Sequence, residues 1–486
     1  MRTTIQLSQL LPHFGRHPRM AAFRRLLREG AETVFLEGLQ GSAASMFLAA
    51  YKQGDRTDGA RRPMLVVMND EDEAGYCFQD LKQLLGAERV CFLPSPYRRA
   101  VKYAQRDAGN EIMRTDALSR LSSGEVAAAN IVVTFPEAMA VKVVAKTDLQ
   151  ERTITLRQGE EVSPVELEHR LVDLGFRRTD YVYEPGDFAL RGSIFDVFSY
   201  SCEYPYRIDF FGDEIDSIRT FCVDTQLSEE RKNEIDIVPE VEQALTGGRE
   251  SLFHFLPKET LLVVKNPTYV TDVIGRIYDE GFSEQALMEQ AETSGTEQEE
   301  RQETAQLRRE LLLMSREEAE KGIAGFQRIV LGRRPEKAKG AQLTFQTAVQ
   351  PLFHKNFDLL GQSLAQSMET GYNIYITADN LKQTERLDDI FKEINGDLRF
   401  TPVEHTLHAG FSDLDLQLCI YTDHQIFDRY HKYALSSDRA RSGKVALSLR
   451  ELNQFEPGDY VVHVDHGIGR FAGLVRVDHG GVEQEM

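Results

Sequence analysis

Three things are scarce in this chain of 486 residues: closely spaced cysteines, long apolar runs and any excess of positive charge. Cys77, Cys91, Cys202, Cys222 and Cys419 lie far apart with no CxxC spacing, which excludes a disulfide framework and a cysteine zinc site and suits a reducing cytoplasm. No stretch approaches the ~18 apolar residues of a membrane span, and the first twenty residues lack a sustained apolar core of the signal-peptide kind. The expectation is a soluble cytoplasmic protein with no membrane contact. Lys and Arg number 57 against 77 Asp and Glu, a net charge of −20. Such a surface repels phosphate at long range, so any nucleic-acid contact must come from a local basic patch.

What remains is an ordinary globular composition, 41% hydrophobic and 28% charged. At roughly 100–200 residues per domain, the length implies about three domains. From residue 1 to about 147, short apolar runs (Thr33–Leu36, Met64–Val67, Val90–Leu93, Ile131–Phe135) alternate with helical stretches, the signature of a parallel sheet with crossover helices. Residues 148–236 switch to strands and turns. Tyr206–Phe211 and Ile215–Val223, joined around Gly212, read as a hairpin in an inserted α+β domain. The α/β pattern returns over 237–344, where Leu307, Leu311 and Met314 at helical spacing predict an amphipathic helix with one buried stripe, and Glu297–Glu303 a solvated helix face. A second small α/β domain covers 345–427, a basic linker 428–454, and the start of a further β-rich domain 455–486.

The strongest chemical signal follows the run Thr33–Leu36, where Gly38-Leu39-Gln40-Gly41-Ser42-Ala43-Ala44-Ser45 opens a helix. A phosphate-binding loop GxxxxGK[ST] needs glycine for close backbone approach, lysine for the β/γ oxygens and a hydroxyl for Mg²⁺. Ala43 and Ala44 stand in place of the Gly–Lys pair and only Ser45 survives. The carboxylate expected after a later strand to hold the metal is also missing, since Lys265-Asn266-Pro267 follows Leu261–Val264. The reading is a degenerate nucleotide fold that binds no cofactor and is not an enzyme. His463 and His466 around Asp465 are a weak ligand set, better read as a turn.

Along Leu190–Phe198, read as one strand, Arg191, Ser193 and Phe195 share a face. Residue types alone allow two outcomes: an arginine and an aromatic offered to a partner, or Phe195 in the core beside a merely solvated Arg191.

Three stretches resemble the N-terminal part of bacterial transcription-repair coupling factors. The degenerate loop Gly38–Ser45 and the blocks Arg191–Phe198 and Arg207–Arg219 (RIDFFGDEIDSIR) look like the UvrB-homology module, and Phe455–Arg470 (FEPGDYVVHVDHGIGR) looks like the opening of the CarD-like domain that contacts RNA polymerase. The resemblance implies an adaptor that recruits UvrA to a stalled RNA polymerase for nucleotide excision repair. Arg191 and Phe195 match the contact strand, with Arg177 or Arg178 at the accompanying basic position. ATP, Mg²⁺ and double-stranded DNA belong, by the same resemblance, to a motor whose motifs do not occur here. The chain is similar to a fragmentary copy whose polymerase contact is impaired and whose UvrA surface is unmasked. Lys265-Asn266 replaces an acidic pair expected in the family, and the stretch from Cys91 to Asn110 leaves little room for UvrB's DNA-inserting hairpin, so damage verification is not expected. The rival readings are an active nucleotide-dependent DNA enzyme and a module that only binds polymerase.

Overall fold

A computed structural model describes residues 3–54, 62–97, 108–122, 131–202, 204–223, 225–240, 248–281, 307, 309–394, 396–431, 433, 460–463, 467–470, 476–479 and 482–485. The chain divides into two compact units, Met1–Ala434 and Leu435–Met486.

Within the first unit, seven strands form one sheet in the order Ala341–Thr344, Thr33–Glu37, Gln327–Leu331, Leu261–Val264, Met64–Val67, Ile131–Thr134, Val90–Phe92. Every neighbouring pair is parallel. The central strands are continuous Val, Leu and Ile runs because helices cover both faces, leaving no solvent side to be polar. The helix Glu71–Leu85 starts where the Asp70 side chain accepts the Glu73 amide at 2.8 Å, with three acids in its first turn facing the positive helix end.

Between Ile131–Thr134 and Leu261–Val264 the chain leaves this sheet to build the inserted domain. Six strands run in the order Ser228–Lys232, Glu214–Phe221, Tyr206–Phe211, Ile194–Val197, Asp187–Arg191, Arg177–Arg178, antiparallel except for the last pair. The expected hairpin is present, turning at Gly212 with φ +66°. The helix Pro164–Asp173 and the pair Ile154–Arg157/Glu234–Ile237 close a core around Phe188, Phe195, Phe210 and Ile215.

A second six-stranded sheet has the order Ile5–Gln6, Thr401–Glu404, Asn373–Ala378, Leu418–Thr422, Phe411–Asp413, Thr347–Val349. Its first strand comes from the chain's start: Ile5 and Gln6 pair in parallel with Val403 and Glu404. The two sheets therefore share the chain at both ends, and the segment Phe345–Gln346 links Thr344 of the first to Thr347 of the second.

The predicted stripe of Leu307, Leu311 and Met314 is not a stripe. Leu307 and Leu311 are exposed, whereas Leu313 and Met314 are fully buried. The cause is backbone pairing: the Lys142 amide donates to the Leu312 carbonyl and the Met314 amide to that of Ala140, which pulls the chain out of helix before Ser315 caps the next one, Arg316–Ala324. The acidic run Glu297–Glu303, residues 432 and 434–454 of the linker, and 455–459 lie outside the described residues, as do 98–107, within the stretch expected to leave little room for a hairpin, and 464–466 around Asp465. The second unit shows two hairpins, Tyr460–His463/Gly467–Arg470 and Arg476–His479/Val482–Glu485. Among the described residues no helix is long and apolar enough to cross a membrane.

Candidate functional site

The turn Gly38–Ser45 sits where a parallel strand gives way to a helix, Ala43–Gln53, at the carboxyl edge of the first sheet. Gly38 (φ +91°) and Gly41 (φ +54°) hold conformations that side chains resist. The Ala43 amide donates to the Gln40 carbonyl within the turn at 3.1 Å, and two more amides meet partners from outside it. The Gln40 amide donates to the Thr347 hydroxyl at 2.8 Å, and the Ser42 amide donates to the Ala409 carbonyl at 3.1 Å. In return the Ala409 amide donates to Ser42 Oγ at 3.0 Å, and Thr347 Oγ1 donates to the Gly38 carbonyl at 2.6 Å. A Cβ at Gly41 would fall 2.9 Å from the Gly410 carbonyl oxygen. Ser45 is buried and turns toward Cys77 Sγ at 3.9 Å.

Asp80, from the neighbouring helix, is buried beside the turn and accepts the His408 amide at 2.7 Å. Burial pushes its carboxyl up to about 6, opposed by the Ser42 hydroxyl, that amide and Ser45. After the strand Leu261–Val264, Lys265 Nζ meets Glu73 Oε1 at 2.6 Å.

The inserted domain presents a different kind of place. Leu190–Phe198 is not one strand but a tight hairpin turning at Gly192–Ser193, with Gly192 at φ +64°. Arg191 and Phe195 therefore lie on adjacent strands, Arg191 opposite Ile194 and Phe195 opposite Leu190. Phe195 has no exposed surface: it stacks on Phe188 with centroids 5.7 Å apart and meets Phe210 edge-on. It cannot enter a partner's pocket without unmaking its own core, which corrects the role the resemblance implied.

The arginines are outside. Arg177 and Arg178 form the edge strand, with side chains 64% and 59% exposed. Arg177 pairs with Asp187 at 2.9 Å and Arg178 with Glu168 at 2.5 Å. Arg191 donates to the Asp180 carbonyl at 2.8 Å, pairs with Asp196 and lies 4.6 Å from the centre of the Tyr181 ring. Asp196 is fully buried, and Arg207 grips both its oxygens at 2.8 and 2.9 Å. Two exposed aromatics follow the edge strand, Tyr181 and Tyr183, 51% and 60% exposed, which are not among the residues expected from the sequence. Their alternation in Tyr181-Val182-Tyr183, around a buried valine, was the available signal.

One group among the described residues has metal-ligand spacing, His17 with Asp413 and Asp415. His17 Nδ1 accepts the Arg19 amide at 3.0 Å and caps the helix Pro18–Arg28. Its proton is thereby placed on Nε2, 3.6 and 3.8 Å from the two carboxylates. Neither contact is short enough to be a hydrogen bond, and His17 Nε2 and Asp415 Oδ2 are buried with no hydrogen-bond partner.

Comparison with known proteins fits this layout. Residues 154–242 match the family model described as UvrB interaction domain, and 455–486 match the CarD-like/TRCF RID domain. Proteins named transcription-repair-coupling factor are similar over 94% of the chain. The one from Bacillus subtilis strain 168 is 22% identical with 43% of its length covered, that of Staphylococcus aureus strain USA300 is 22% with 43%, and that of Myxococcus xanthus is 26% with 44%. The chain thus spans less than half the length of these curated relatives.

Proposed function

We propose that this chain, which matches the N-terminal part of the transcription-repair-coupling factors, is the adaptor portion of such a factor and docks UvrA on the edge of its inserted domain. The observation that carries the reading is the open edge formed by Arg177, Arg178, Arg191, Tyr181 and Tyr183 within the segment matching the UvrB interaction domain. Arginine and tyrosine on an exposed edge are the residue types that anchor protein interfaces, and they call for a partner surface rich in carboxylates. The intramolecular acids that hold these guanidiniums fix their positions before a partner arrives.

Nucleotide turnover is no part of the proposed role. The turn Gly38–Ser45 has alanine where a lysine is needed, and Lys265 occupies the place of the metal-holding acid. ATP, Mg²⁺ and double-stranded DNA are assigned to regions of the relatives beyond the part matched here. A second contact, with RNA polymerase, is proposed for residues 455–486, where Tyr460 is exposed, Arg470 lies 4.9 Å over its ring and donates to its hydroxyl at 2.9 Å.

Calorimetric titration of UvrA with this chain tests the adaptor reading. Binding is expected without nucleotide, and Arg191→Ala and Arg178→Ala are each expected to weaken it by about tenfold, or ~1.4 kcal/mol. Arg191→Ala keeps the fold because Arg207 still pairs with Asp196. Unchanged affinity in both variants would remove the proposal.

A further inference from the structure

The contacts at Gly38–Ser45 also have a meaning independent of UvrA. We infer that this turn is a binding site for peptide backbone, and that its ligand is the chain's own segment 405–410 from the second α/β domain. In a phosphate-binding loop the amides face an anion whose charge a lysine balances. Here an amide faces the Ala409 carbonyl, a neutral acceptor that needs no counter-charge, and no lysine stands at position 44 to supply one. The exchange is two-way, because Ser42 also accepts the Ala409 amide, the donor–acceptor pairing of one backbone unit. Asp80 extends the same recognition to the next residue by accepting the His408 amide, and its carboxylate beside the turn repels any anion that might compete.

The ligand segment is held in shape by its own domain. The Thr406 amide donates to Asp379 Oδ1 at 3.1 Å and the Gly410 amide to Gln425 Oε1 at 2.7 Å. Gly410 has no room for a Cβ, which would strike the Gln350 side chain and the Ile420 carbonyl. The His408 ring stacks on Tyr76 at 3.6 Å, and the His408 carbonyl is in hydrogen-bond contact with His424 Nε2 at 2.8 Å. A segment braced in this way by its own domain has little entropy left to lose at the turn. Glycine at position 41 is then required by the Gly410 carbonyl 2.9 Å from where its Cβ would be, as well as by its own positive φ.

Hydrogen exchange on the whole chain tests this. The amides of His408 and Ala409 are expected to be protected, and 5–10 mM MgATP or sulfate, each above the affinity range of an ordinary phosphate site, is expected to leave them unchanged. Ser42→Ala, a mild substitution, is expected to speed exchange at Ala409 about fivefold to tenfold, with little change at residues 187–197 of the inserted domain. The double variant Ala43→Gly/Ala44→Lys restores the missing phosphate-loop residues and is still expected to bind no fluorescent ATP analogue, because the segment stays seated. Unprotected His408 and Ala409 in the unaltered chain, their deprotection by MgATP or sulfate, or ATP binding by the double variant would each overturn the inference.

Discussion

The turn Gly38–Ser45 and the arginine edge of the inserted domain both gather polar groups, and they differ in how far the rest of the chain covers them. At the turn, amides and a hydroxyl meet partners from elsewhere in the same chain, and glycine is retained because another backbone passes within van der Waals range. At the edge, guanidiniums are oriented by neighbouring acids yet stay more than half exposed at Arg177 and Arg178, beside exposed tyrosines. Both places find partners within the chain, and they differ in exposure: the turn's groups are covered by residues 347 and 408–410, whereas the guanidiniums of Arg177 and Arg178 stay open to solvent.

Substitutions can break that contrast in graded ways. The largest effect is expected from Phe195→Ala, which empties a fully buried ring position between Phe188 and Phe210 and should cost the inserted domain ~3–5 kcal/mol in denaturant unfolding. A stable Phe195→Ala protein with selectively lost UvrA binding would return that residue to the interface. Next comes Gly41→Ala, where positive φ and the close Gly410 carbonyl together should cost about 1–3 kcal/mol, read as a lower melting temperature and faster exchange at 405–410. Arg178→Glu should change stability little, since its ion pair with Glu168 is at the surface, while reducing UvrA affinity more than Arg178→Ala does.

Acid acts on the turn through two opposed groups. Burial, with His424 and His431 nearby, holds the His408 imidazole down to about 4, below the 6.5 of a free histidine. Its contribution is present above about 6.5 and is lost as pH falls toward 4. Asp80, pushed up to about 6 from 3.8, works the other way, its contribution being present below 3.8 and lost as pH rises through 6. The two oppose each other between pH 4 and 6.5, so a small net change is expected. Asp80→Asn should steepen the acid loosening of residues 405–410, and His408→Gln should reverse its sign, in exchange measured at pH 7, 6 and 5.

Much of the architecture was legible in the sequence because it rests on local pattern. Continuous apolar runs between helices give the parallel sheet, and the run Tyr206–Phe211, Gly212 and the following alternation give the hairpin. Other features resisted for identifiable reasons. The two-residue turn at Gly192–Ser193 preserves the period-two alternation of its flanks, so two strands read as one and Phe195 fell on the wrong side of the sheet. Leu307 and Leu311 keep helical spacing, but pairing of Leu312 and Met314 with Lys142 and Ala140 decides which residues are covered. The ligand of the Gly38–Ser45 turn was invisible because Ser42 and Ala409 are 367 residues apart and no periodicity connects them. Recognition through the motifs succeeded where periodicity could not, reaching the inserted domain and the residues from 455 onward.

Titrating UvrA with the unaltered chain and with Arg191→Ala, in buffer free of nucleotide, probes the whole picture in one experiment. Tight binding by the first and about tenfold weaker binding by the second, at matching melting temperatures, is the expected result. Association that appears only with ATP, or that ignores the loss of Arg191, would contradict it.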